Sequence, residues 1–176
     1  MNMEDEKPTA AVQYGHGHRG LYLGHVTTNI ANGDGCTEEP VCKMVSQRKH
    51  DVEQHTYVFL DVKPFCLLLY HVDESNKVTS TDLFDLARIS YCSGDHKENP
   101  QVFAWVYRHE TADGFLLQTH AVLCDNPRKA RALALKMNES FKKYFRDIQD
   151  ALKSSNMLKE AMQSNGMVKS QQTRIS

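Results

Sequence analysis

The stretch LARISYCSGDHKENPQVFAWVYR, residues 86–108, decides how this chain folds. Its second half, QVFAWVYRH, is the clearest strand in the sequence, a run of β-branched and aromatic residues with no breaker. Its first half, ARISYCSGD (87–95), reads as a short strand that stops at Gly94. If that strand alternates, one face carries Ile89 and Tyr91 and the other offers only Arg88, Ser90 and Cys92. A face that small has two explanations: an interior strand whose neighbours supply the bulk, or an open edge left for another chain to pair with.

Working outward, ETADG (110–114) is a hairpin turn joining QVFAWVYRH to a further strand, FLLQTHAVLC (115–124). Upstream, KVTSTDLF (77–84) alternates enough to be a strand, and DESN (73–76) is the turn before it. Residues 57–72 are rich in aromatic and β-branched types and broken at Lys63-Pro64, which gives two strands and a tight turn because proline cannot continue a ladder. GLYLGHVTT (20–28) begins the first strand. NGDG (32–35) turns, and CTEEPVCKMVSQRKH (36–50) offers Thr37 as an N-cap with acids in the first turn of a short helix over residues 38–49. After the last strand, Asn126 caps and Pro127 opens a long helix, since proline at the first helical position loses no hydrogen bond. Its apolar residues Ala130, Leu133, Ala134, Met137, Phe141, Phe145, Ile148 and Leu152 fall at steps of three and four, one stripe of an amphipathic helix. Residues 1–19 have no period and read as a flexible arm, and residues 154–176 as a disordered tail. A run of about seven strands closed by one helix is an α+β arrangement in which an antiparallel meander bends into a barrel or sandwich and the helix caps it.

A chain of 176 residues fits one domain plus tails. A formal charge of −1 gives no general attraction to nucleic acid, and no run reaches the roughly 18 apolar residues that span a bilayer. The start MNMEDEKPTA lacks the features of a secretory signal, so a cytoplasmic monomer is the expectation. The cysteines at 36, 42, 66, 92 and 124 are odd in number and scattered, which argues against a disulfide framework.

With these pieces in order, LARISYCSGD, PQVFAWVYR, THAVLC (119–124) and SFKKYF (140–145) resemble the phosphotyrosine-binding (PTB) domain, also called the phosphotyrosine interaction domain (PID), over about residues 20–153. YLGHV (22–26), GCTEEPV (35–41) and FAWVYR (103–108) are similar in particular to small adaptors made of little besides this domain. The resemblance implies a pleckstrin-like (PH/PTB) barrel and a non-catalytic adaptor. In such a protein an extended peptide, commonly containing Asn-Pro-x-Tyr in a receptor's cytoplasmic tail, pairs antiparallel with the strand at Ala87–Ser93, beside the last helix. It implies peptide contacts at Arg88, Ile89, Ser90, Tyr91, Cys92, Ser93 and Gly94, with Ser93 and Gly94 meeting the Asn-Pro turn. Phe141 is the helix aromatic that touches the apolar residue upstream of Asn-Pro, with Phe145 one turn on. Tails of the lipoprotein-receptor class are the expected partners.

Phosphate recognition is a separate question. Arg108 matches one phosphate-binding position of the Shc type, but Leu117 stands about where a second basic residue belongs, and residues 27–37 hold no Lys or Arg. A dianion without a bidentate arginine cluster loses its strongest contacts, so phosphate-indifferent recognition is favoured. Arg19 and His96, with His16, His18 and Lys97, are the candidates to compensate. An alternative reading places Lys142, Lys143 and Arg146 against anionic phosphoinositides at the inner face of the plasma membrane. GHGHRG (15–20) supplies His16 and His18 but no further ligands, so no metal is expected. Cys92 with His96 lacks an orienting third group, and a packed cysteine is the better reading; neither catalysis nor a cofactor is expected.

Overall fold

The computed structural model describes the backbone of residues 18–49 and 56–175, with side chains for 18–48 and 56–164. His16 and the arm over residues 1–17 lie outside the described residues. In chain order the elements are β1 (His18–Thr28), α1 (Glu38–Lys49), β2 (Tyr57–Val62), β3 (Cys66–Val72), β4 (Val78–Asp85), a 3₁₀ turn (Leu86–Arg88), β5 (Ile89–Ser93), β6 (Val102–Thr111), β7 (Gly114–Cys124) and α2 (Pro127–Ile175). The chain divides into two compact units between Ser140 and Phe141.

All seven strands of the first unit form one antiparallel sheet in the order β4-β3-β2-β1-β7-β6-β5. The sheet curls, for Phe84 of β4 meets Trp105 and Tyr107 of β6 edge-on at 5.2 and 5.0 Å, although β4 and β6 stand far apart in the strand order. Trp105 in turn stacks on Phe103 and on His120 of β7. The sheet's other face is covered by α1: Val41 and Met44 are fully buried against Val102, Ala104 and Ala121. Ala104 and Ala121 pair directly across β6 and β7, and their small side chains let the helix approach. β6 is therefore buried on both faces from Val102 to Tyr107, which is why it reads as an unbroken apolar run.

Local chemistry sets the boundaries. The Asn126 carboxamide oxygen accepts from the Lys129 amide at 2.9 Å, an N-cap that starts α2 at Pro127. Lys63-Pro64 separates β2 from β3, and Thr111 pairs with Gly114 across a two-residue hairpin loop. Within the first unit α2 buries Ala130, Leu133 and Met137. Two expectations need correction. β1 begins at His18, before Gly20, and α2 continues through residues 154–175, where a tail was expected. Ser, Asn, Gln, Met and Lys carry no Pro in that stretch, so weak periodicity does not end the helix. Among the described residues no helix is long and apolar enough to cross a membrane.

Candidate functional site

β5 pairs with β6 on one side and is the last strand of the sheet on the other. Its outer backbone groups have no ladder partner among the described residues, which makes it one of the sheet's two edges, with β4 the other. The register steps from Ile89↔Tyr107 to Tyr91↔Val106, so Ser90 is an extra residue, a β-bulge. That insertion changes which side chains face inward. Ile89 and Cys92 are 6% and 9% exposed, whereas Ser90 is exposed and Tyr91 and Ser93 are half-buried. The alternation that placed Ile89 with Tyr91 and Ser90 with Cys92 is therefore corrected. Cys92 points into the protein with Sγ 3.8 Å from Asn138 Oδ1, and burial pushes its thiol up to about 12, so it stays protonated.

Both ends of β5 are fixed by the fold. Arg88 lies in the 3₁₀ turn and pairs with Glu110 at 3.4 Å. Gly94 is buried under α2: a Cβ there would overlap the Ala130 carbonyl, so glycine is required for the strand end and the helix to pass. On the outer side the Ser90 hydroxyl donates to the Ala31 carbonyl oxygen. Burial raises the Tyr91 phenol, with Cys36 and Asp34 adding to the effect. The loop between β1 and α1 is thus held beside β5.

Tyr91 and Ser93 open into a cleft of about 810 Å³. Its other walls are Asp34, Glu38, Glu39, Asp95 and Glu98, with Lys97. Glu38 accepts from the Lys97 backbone amide at 2.8 Å, and Glu98 from the Cys42 thiol. Sequence reasoning missed this site. Glu38 and Glu39 were visible only as acids in a first helical turn, and nothing in the sequence places Asp95 and Glu98 opposite them.

The candidate phosphate ligands do not converge. His96 is 2% exposed, and its Nδ1 lies 2.9 Å from the Val102 carbonyl, which can only accept. Nδ1 therefore carries the proton, and Nε2 accepts from the Thr37 hydroxyl at 2.8 Å. Burial holds this imidazole below its ordinary value, and with both nitrogens engaged it serves the fold. It is paired neither with Cys92 nor with solvent. The Arg19 guanidinium lies over the Tyr57 ring at 4.3 Å, and Arg108 over Phe115 at 5.9 Å. Arg108 is level with Thr28 through Leu117, so the two arginines stand at opposite ends of β1, about 25–30 Å apart along the strand. In the second unit Phe145 is 59% exposed and shares one helix face with Lys142, Arg146 and Gln149, while Lys143 is exposed and Phe141 half-buried.

A curled antiparallel sheet with β4 and β5 at its edges, followed by a long helix, is a pleckstrin-like fold. Residues 17–174 match the phosphotyrosine interaction domain (PTB/PID), and the chain belongs to that family. It is 39% identical over 131 residues to the "PTB-containing, cubilin and LRP1-interacting protein" of Mus musculus, covering 70% of this chain and 59% of that protein. It is 38% identical to "Protein FAM43A" of Homo sapiens over 77% of this chain and 30% of that one. "Low density lipoprotein receptor adapter protein 1-A" of Xenopus laevis is 27% identical over 70% of this chain and 38% of its own length. The chain thus spans less than two thirds of each of these relatives. The fold is also that of the C-terminal phosphotyrosine interaction domain of mouse APBB2, with a TM-score of 0.52 at 12% identity over 72% of this chain and 85% of that one.

Proposed function

We propose that this chain is a non-catalytic adaptor that binds Asn-Pro-x-Tyr-type peptides in receptor cytoplasmic tails by adding them as an eighth strand to β5. The observation that carries the reading is the open edge of β5, whose unpaired amides and carbonyls supply register to an incoming strand. Relatives whose names state that they interact with cubilin and LRP1, or adapt the low density lipoprotein receptor, support tails of the lipoprotein-receptor class. A segment that runs antiparallel to β5 and then enters the Asn-Pro turn leaves the strand at its Ile89 end. The turn therefore falls beside Ile89 and Ser90, and buried Gly94 is removed from the contacts. Phe141 keeps the role that the family resemblance implies.

Recognition is indifferent to phosphorylation in this reading. Arg19 on β1 and Arg108 on β6 are separated by about the length of β1, Arg88 is engaged by Glu110, and His96 is buried, so these four residues do not form a bidentate cluster for a dianion. Titration with paired phosphorylated and unphosphorylated Asn-Pro-x-Tyr peptides, followed by backbone amide NMR, is expected to shift Ile89–Ser93 equally with both. Silence along β5 overturns the proposal.

A second reading is favoured by one observation: exposed Phe145 sits between Lys142 and Arg146 on a single helix face, an apolar side chain flanked by two cations, which suits an anionic lipid surface. Binding to phosphoinositide-containing vesicles is expected to weaken steeply with salt and to be lost in Lys142→Glu/Arg146→Glu. Equal binding by that variant discards this reading.

A further inference from the structure

The cleft beside β5 carries five carboxylates, Asp34, Glu38, Glu39, Asp95 and Glu98, against the one ammonium of Lys97. None of the five forms an ion pair with another described residue. Carboxylates gathered in one concavity repel each other and attract an incoming cation. Their position relative to the open edge gives that attraction a direction. Side chains directly opposite one another in an antiparallel pair emerge on the same face of the sheet. Tyr91 and Ser93 line the cleft, so the ligand residues opposite them project over it too.

We infer that β5 selects ligands carrying two basic residues, two positions apart, on the N-terminal side of their Asn-Pro-x-Tyr motif. The inference rests on the strand-addition reading above and adds the chemistry of the partner to it. The ligand residue opposite Ser93 is two positions N-terminal to the one opposite Tyr91, because the strands run antiparallel. Alternate side chains stand about 6.6 Å apart, so a Lys-x-Lys or Arg-x-Arg segment sets one cation near Asp95 and Glu98 and the other near Asp34 and the start of α1. Acidic residues at the same two positions meet like charge and are rejected, which makes the cleft a discriminator between receptor tails as well as an anchor.

The test uses the full chain and two fluorescent unphosphorylated peptides that share one Asn-Pro-x-Tyr core, one preceded by Lys-x-Lys and the other by Glu-x-Glu. At low salt the lysine peptide is expected to bind about tenfold or more tightly, and the gap is expected to shrink to about threefold or less in 0.5 M salt. Glu39→Lys/Asp95→Lys changes two exposed side chains and is expected to reverse the preference while leaving the amide spectrum of β6 and β7 unchanged. Equal affinities for the two peptides, with β5 amides shifted by both, overturn the charge preference and leave strand addition standing. Absence of β5 shifts with either peptide overturns both.

Discussion

Single residues explain why β5 ends where it does. Gly94 has no side chain because the Ala130 carbonyl occupies the space a Cβ would need. That atom belongs to the backbone of α2, which cannot rotate aside as a flexible side chain can. Gly94→Ala is therefore expected to destabilise the domain by about 2–3 kcal/mol, measured as a lower urea midpoint, by forcing strand end and helix apart. An unchanged midpoint would mean that the two are not packed as described. In the sequence this glycine looked like a strand stop available to a ligand. The contact that fixes it lies 36 positions away, beyond the reach of local patterning. His96 misled for the same reason: beside Lys97 it resembled a phosphate ligand, but Thr37 and Val102 take both of its ring nitrogens.

At the scale of elements, legibility followed local punctuation. Pro64, the 110–114 turn and Asn126-Pro127 impose backbone conformation on their own neighbours, so β2, β3, β6, β7 and the start of α2 were readable from the sequence. α1 was readable because Thr37 and the acids after it mark a helix start, although the Thr37 hydroxyl is spent on His96 rather than on the cap. β5 was recognisable as a strand, but not the way it faces. A bulge at Ser90 is decided by how β5 lies on β6, and one inserted residue exchanges the inner and outer side chains beyond it. The acidic cleft was illegible because it brings the β1–α1 loop and α1 against β5 and the β5–β6 loop, segments that local patterning cannot relate to each other. α2 was right in its start and wrong in its end, since helix formers without a breaker give no stop signal.

At the scale of the whole molecule, the folded sheet carries a pH dependence. His120 is 6% exposed, stacked on Trp105 at 5.4 Å, with Nδ1 2.8 Å from the Tyr22 hydroxyl and Nε2 unpartnered. Burial first, then the nearby His25 and His109, push it from its ordinary 6.5 down to about 3. A histidine with a depressed folded value takes up a proton more readily when unfolded, so its contribution is complete above about pH 6.5 and declines as the pH falls toward 3. Between pH 7.5 and 5 this one group is expected to remove about 2 kcal/mol of stability, or about 4–8 °C of melting temperature, and buried His96 acts in the same direction. His120→Gln keeps a polar partner for Tyr22 but cannot titrate. It is expected to melt lower at pH 7.5 and to lose about 2 kcal/mol less than the parent on acidification to pH 5. Parallel pH profiles for the two proteins would show that the imidazole at position 120 is not held neutral by the fold, and its packing, stacked on Trp105 and edge-on to Phe84, would then have to open in solution.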